Sequence, residues 1–364
     1  MNEIFRKLQE KLDTLPQGFP AVENGLDIRI LQWIFTPEEA KIALGLPFAP
    51  VPADAIAERL GKTVKETRDI LEKMNQRGQI MCLNISGSSQ YLLPPYYPGI
   101  HECVQFRKDK TVEQLTEYAR LFEDYFPLLL KATGRSRPSL TRVVPVSTAV
   151  DPGLKVHRLD DVKRMVEGAK CIHLMECVCR KEKILLGKGC GHSLEVCLML
   201  SSHDNIYDKW PHGRSISAEE AMKILVRAEK EGLVHTTYNA DDSGNTFICA
   251  CCPCCSIFLS ALAAHKAPNI VAQSNFLARI NEEKCIACGT CANERCPMGA
   301  IFPVEDKYYR VEPGKCIGCG VCNSTCPAGA ITMVSRDESQ REPIPSSLVE
   351  WAAKRSAVMK AEGC

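Results

Sequence analysis

Residues 284–301 read KCIACGTCANERCPMGAI, and residues 315–331 read KCIGCGVCNSTCPAGAI. The first stretch carries Cys285, Cys288, Cys291 and Cys296; the second carries Cys316, Cys319, Cys322 and Cys326. Both open on Cys-x2-Cys-x2-Cys and close on Cys-Pro-x-Gly-Ala-Ile, so they are two copies of one unit joined by a short spacer. Their lengths differ in one place. Ala292, Asn293, Glu294 and Arg295 precede the last cysteine of the first copy, one residue more than in the second. Three thiols spaced in this way fold onto a tight loop and can address three corners of one compact metal group. The fourth, followed by Pro297 or Pro327, is expected to lead into a helix heading away. Zinc knuckles are the competing reading, but they use paired Cys-x2-Cys without a third cysteine on the same loop.

The second copy is the Cys-x2-Cys-x2-Cys-x3-Cys-Pro run of bacterial two-cluster ferredoxins, and residues 281–332 resemble such a ferredoxin over its whole length. The resemblance implies two [4Fe–4S] clusters with crossed ligation. Cys285, Cys288, Cys291 and Cys326 would hold one; Cys316, Cys319, Cys322 and Cys296 would hold the other. The extra residue of the first copy departs from the family pattern. It is expected to shift the hydrogen bonding at its cluster, and with it the potential.

Length and composition set the frame for the rest. The chain has 364 residues, 21 of them cysteine, and a formal net charge of +1. Near-neutral charge gives no global drive toward nucleic acid or membrane. The charged N-terminus MNEIFRKLQEKLDTL has no apolar signal core, and no stretch is long enough to span a bilayer. Cysteine without export reads as metal binding in a reducing compartment, so the expected setting is an anaerobic cytoplasm.

Residues 1–35 read as an amphipathic helix (Ile4, Leu8, Leu12, Leu15) and a connector bearing Pro16, Gly18, Pro20 and Gly25. Thr36 caps a helix beginning at Pro37, residues 52–60 form a second helix ended by Gly61, and Thr63 caps a third over 64–76. A hairpin follows, its turn at Gly87-Ser88-Ser89. Residues 36–97 thus resemble a winged helix-turn-helix domain. Its usual partner is DNA, but Lys65, Arg68, Lys73 and Arg77 are offset by Glu66, Asp69 and Glu72, so a protein-docking role is favoured over DNA. Cys82 and Cys103 stand alone and read as buried apolar residues. A long helix over 110–132, with Leu115, Tyr118, Leu121, Phe122 and Tyr125 on one face, precedes a Pro- and Gly-bearing linker over 133–153, in which RVVPV is a candidate short strand.

The middle of the chain carries a second set of thiols: Cys177, Cys179, Cys190, Cys197, Cys249, Cys251, Cys252, Cys254 and Cys255. The last five offer Cys-x2-Cys-x2-Cys in one frame (249, 252, 255) and Cys-x2-Cys in the other (251, 254). Such density reads as one or more further metal groups, [4Fe–4S] ahead of zinc. Ser217 with Glu220 reads as a capping box opening a helix. The pattern resembles the middle module of anaerobic [4Fe–4S] proteins that sit beside redox enzyme complexes. Arg180 reads first as a member of a structural ion pair, and otherwise as a counter-charge to a reduced cluster or a contact to a partner. His173, His192, His203 and His235 read as structural. A helix from Ser347 to about residue 361 is expected to dock on the ferredoxin-like part or on a partner, and Cys364 is not expected to be a ligand.

The expected fold is α+β: a winged-helix-like domain (1–135), a Cys-rich metal-binding domain (136–280), a two-cluster ferredoxin domain (281–335) and a tail with a helix (336–364). No Gly-x-Gly-x-x-Gly, P-loop or nucleophile elbow is present. No catalytic residue is therefore assigned. The expected function is single-electron relay to or from a partner oxidoreductase, with a redox-sensing DNA-binding regulator and a reductase with an open iron site as the rivals.

Overall fold

The computed structural model describes residues 2–134, 136–146, 157–241, 245–265 and 267–362. It is a mixed helix-and-strand protein. The N-terminal third holds α1 (Asn2–Asp13), α2 (Leu26–Ile34), α3 (Pro37–Gly45), β1 (Val51–Pro52), α4 (Ala53–Leu60), α5 (Val64–Gln76), β2 (Met81–Ile85), β3 (Ser88–Leu92), the one-turn α6 (His101–Val104) and α7 (Val112–Thr133). Thr36, Thr63 and Thr111 each cap their helix with a reciprocal box, to Glu39, Glu66 and Gln114. Gly61 ends α4 in the left-handed region.

Four expectations need correction here. Residues 16–35 are not only a connector, because 26–34 form α2, whose Asp27 is buried and paired with Arg6. The hairpin turns one residue early. Ile85 pairs with Ser88, leaving Ser86 and Gly87, both at positive φ, as a two-residue turn whose twist matches the strands. Residues 51–52 precede the helix as a third strand on β3. The stretch over 133–153 is no linker in its described part, though the short strand expected at 142–146 is present, beginning one residue earlier. Thr141–Val144 form β4, buried at all four positions.

β4 lies inside a seven-stranded sheet of order β10-β4-β8-β9-β6-β5-β7. Its members are β5 (Cys171–Glu176), β6 (Glu195–Ser201), β7 (Arg214–Ser215), β8 (Val234–Tyr238), β9 (Asn245–Cys251) and β10 (Val271–Ala272). All pairings are antiparallel except β10 with β4. Among the described residues, four helices accompany it: α8 (Val162–Glu167), α9 (Val178–Leu185), α10 (Ala218–Lys230) and α11 (Ile257–Ala263). The capping box expected at Ser217 is half formed. Ser217 Oγ accepts from the Glu220 N–H, but the Glu220 carboxylate accepts instead from Arg214 at 2.6 Å.

The C-terminal part begins at β11 (Phe276–Ile280), which pairs antiparallel with β14 (Ile331–Ser335) and brackets the repeat. The spacer between the copies is itself a hairpin, β12 (Ile301–Val304) with β13 (Tyr308–Val311). After Cys296 and Cys326 comes a tight turn and then a strand; no helix leads away. The last helix, α12 (Leu348–Glu362), packs against the segment after α7 and not against the repeat: Trp351 Nε1 donates to Ser139 O at 2.8 Å. Cys82 and Cys103 are buried, as apolar residues would be. Cys364 lies outside the described residues.

Candidate metal centres

Each copy of the repeat curls its three leading cysteines around a pocket that the last cysteine of the other copy completes. Cys285, Cys288, Cys291 and Cys326 line one pocket of about 340 Å³. Cys296, Cys316, Cys319 and Cys322 line the other, about 330 Å³. Near-equal volumes with equivalent donors suit two copies of one cofactor. The remaining walls are apolar, with Ile280, Ile286 and Ile331 in the first and Ala278, Ile301 and Val311 in the second.

The shared Cys-Pro-x-Gly-Ala-Ile tail has a local purpose. Gly299 and Gly329 turn at φ +58° and +57°. Those turns aim the next amide back at the cysteine: Ala300 N–H donates to Cys296 Sγ at 3.2 Å, and Ala330 N–H donates to Cys326 Sγ at 3.3 Å. Amides on sulfur are among the features that tune an iron–sulfur potential. The extra residue of the first copy leaves these two contacts alike. It is absorbed by a single wide turn over Cys291–Arg295, with Cys296 N–H bonded to Cys291 O at 3.0 Å. That turn pushes Arg295 outward, where it donates to Lys230 O and Glu229 O at 3.1 and 3.0 Å. A cation there caps the C-terminus of α10 and ties the repeat to the central sheet's helix layer.

The two loops differ in exposure. Cys316, Cys319 and Cys322 are buried, whereas Cys288 is exposed and its neighbour Ile286 is 64% exposed. The second loop is held from outside the repeat. Ser274 N–H donates to Ile317 O at 3.1 Å, Ser274 Oγ to Gly318 O at 2.7 Å, and Val146 N–H to Cys319 O at 2.9 Å. The buried Arg336 guanidinium reaches Cys316 O. Burial, with Cys285 adjacent, pushes the Cys291 thiol up to about 11, and burial pushes Cys319 up to about 12. Thiols so placed give up their protons to a metal rather than to water.

The middle cysteines divide between two places. Cys197 on β6 sits opposite Cys249 on β9, with the sulfurs 3.5 Å apart. Cys251, two residues on, shares that face and contacts Thr236 Oγ1 at 3.4 Å. Cys179 packs on the same side, and Cys177 is hydrogen-bonded to Cys179. That bond, with the Arg180 charge, lowers the Cys177 thiol to about 6. The Tyr97 hydroxyl is buried without a partner among the described residues, and Cys179, Cys249 and Cys251 add to its raised pKa after burial. An acceptor such as a cluster sulfide would satisfy it, so these residues fit an iron–sulfur group. Elsewhere, Cys190 meets Cys252, Cys254 and Cys255. The structure therefore does not sort the 249–255 run into the frames 249/252/255 and 251/254. The run crosses from strand to turn at Cys252, so 249 and 251 face one way and 252, 254 and 255 gather elsewhere.

Arg180 makes no ion pair with a carboxylate among the described residues; it is fully buried and donates to Ser193 O and Ala250 O, both at 2.7 Å. His173 meets His212 O at 2.6 Å and His235 meets Glu229 at 3.2 Å, which are structural contacts. Sequence reading missed Tyr97, Ser274, Arg295 and Arg336. Only Arg295 carried a signal, because it lies in the one segment where the copies differ in length.

No described helix is long and apolar enough to cross a membrane. No curated protein and no solved structure matches the chain. Residues 278–333 match the family model of the 4Fe-4S dicluster domain. This segment, closed by the β11–β14 pair, is an iron–sulfur, ferredoxin-like unit, and the chain that carries it is an iron–sulfur protein.

Proposed function

We propose that this protein relays single electrons to or from a partner oxidoreductase. In this reading Cys285, Cys288, Cys291 and Cys326 hold one [4Fe–4S] cluster, Cys316, Cys319, Cys322 and Cys296 hold a second, and the middle cysteines hold at least one further metal group. The supporting observation is the pair of near-equal pockets, each lined by three cysteines of one copy and one of the other, inside the segment that matches the dicluster model. When bound, such clusters supply reversible one-electron storage. The chain's own residues leave one end of the relay accessible and bury the other. Cys288 and Ile286 leave the first pocket open to a docking partner. Ser274, Val146 and Arg336 bury the second loop against the sheet that carries the middle cysteines. Units at 1–135, 136–280, 281–335 and 336–364, in an anaerobic cytoplasm, complete the proposal.

Protein purified without oxygen should contain at least about eight iron and eight sulfide per chain, two cubanes' worth. A fully folded protein with about four or fewer would remove the two-cluster relay.

Within the N-terminal third, the proposal takes α3 to β3 as winged-helix-like and as a protein-docking element. Asn75 donates to Lys209 O at 2.9 Å, and Asn84 N–H donates to Ile206 O at 2.9 Å, so the end of α5 and the hairpin are engaged with the middle of the chain. Arg77 is taken up by Glu39 and Asp109. Oxidised and reduced protein should both leave duplex DNA unshifted at low salt, where phosphate contacts are strongest. A retarded band that weakens steeply with added salt would instead favour the redox-sensing regulator.

A further inference from the structure

Beyond the relay, a second kind of metal site is built where β9 ends. The sulfurs of Cys190, Cys252, Cys254 and Cys255 all lie within 4.8 Å of one another. Cys190 to Cys252 is 3.9 Å, Cys190 to Cys255 is 3.6 Å and Cys254 to Cys255 is 3.8 Å. Four thiolates about 2.3 Å from one ion form a tetrahedron about 3.8 Å on an edge. A cubane takes its four thiolates on four different iron atoms, which holds the sulfurs farther apart. The repeat is an internal yardstick. Among the described residues, the Cys190 group is the one set of thiol, imidazole or carboxylate donors drawn this close; neither repeat pocket, though lined by four cysteines, has its sulfurs so near.

A second observation concerns charge. Four thiolates on a divalent ion carry a net charge of about −2. The fully buried Arg180 has no carboxylate partner among the described residues, and it donates to Ser193 O and Ala250 O. Those carbonyls belong to the two segments that deliver Cys190 and Cys252. A buried cation held there without a carboxylate favours negative charge close by, and the thiols nearest it are Cys252 of this group together with Cys177 and Cys251 of the other.

We infer that Cys190, Cys252, Cys254 and Cys255 bind one tetrahedral divalent ion of the zinc type, and not a cubane. All four ligands come from protein, so the site is closed to substrate and fastens the loop after α9 to the turn after β9. Cys177, Cys179, Cys197, Cys249 and Cys251 are left as the middle set able to serve the relay.

The test uses the full chain purified anaerobically with its metals. Parent protein is compared with Cys254→Ser, an exposed turn position, and with Cys190→Ser. The expected result is one zinc per chain, a zinc absorption edge fitted by four sulfurs at about 2.3 Å, and zinc lowered fivefold or more in both variants with iron unchanged. From zinc-poor, iron-rich medium the site should take a single iron, read as an isolated high-spin ferric signal after one-electron oxidation with ferricyanide; that also supports one-ion binding. Loss of about four iron per chain in the variants, or no change in any metal, overturns the inference. If a variant fails to fold, the absorption edge of the parent decides: a zinc shell of fewer than four sulfurs, or no stoichiometric single ion, overturns it. The parent's iron count tests the relay separately.

Discussion

Gly318→Ala should lose the buried pocket of the repeat and about half of the repeat's iron, one cubane of two. Gly318 sits at φ +72°, and an added Cβ would lie 2.2 Å from both Phe276 O and Ser274 Oγ. Neither neighbour can yield. Phe276 O is backbone on β11, and Ser274 is fixed by its bonds to the same loop. The left-handed backbone costs a residue with a Cβ about 1–2 kcal/mol, and the overlap adds about 1–3 kcal/mol. The first copy supplies the comparison. Ala287 occupies the equivalent position at φ +51°, so the turn itself accepts alanine where nothing crowds it. Gly299→Ala is a second control: its φ is +58° and an added Cβ meets nothing within 4 Å. It should retain full iron. Iron analysis and EPR of the reduced proteins check this. Equal iron in Gly318→Ala and parent would mean that the loop shifts freely, and that Ser274 does not clamp it.

Arg355→Met should detach the C-terminal helix. Arg355 is 1% exposed, and its guanidinium donates to Pro16 O at 2.9 Å, to Pro138 O at 2.8 Å, and to Ser136 O and Thr133 O. Methionine fills much of the volume and satisfies none of these carbonyls. At about 1–3 kcal/mol per buried group left unpaired, less what water recovers as α12 lifts away, the loss is about 3–5 kcal/mol. Limited proteolysis should then release the segment after 347, with a lower denaturation midpoint. Lys354→Met removes only an exposed pair with Glu350 and should leave both readouts unmoved. Survival of an intact, protease-resistant tail in Arg355→Met would show that Trp351 alone anchors the helix.

What could be read from the chain alone was what is local. The thiol spacing, the shared Cys-Pro-x-Gly-Ala-Ile tail, and the threonine caps at 36 and 63 act within a few residues. Their geometry is therefore written in adjacent positions, and the helices they open stand where expected. Even the extent of α12 was legible, though not its docking partner. That partner is a set of carbonyls more than two hundred residues away, and a carbonyl has no letter in the sequence.

The rest was decided by tertiary structure. Nothing in TRVV distinguishes a linker strand from the buried β4; its pairing with β8 and β10 does. Alanine and glycine are interchangeable at the third position of the cysteine loop until Ser274 and Phe276 press on one copy. The run 249–255 offers two frames by spacing, and the choice falls to the point where β9 stops. Up to Cys251 the alternation of an extended chain sends every second sulfur to one face of the sheet. From Cys252 the turn breaks that period and turns three sulfurs toward Cys190. Spacing states which thiols are neighbours along the chain; where the strand ends decides which of them are neighbours in space.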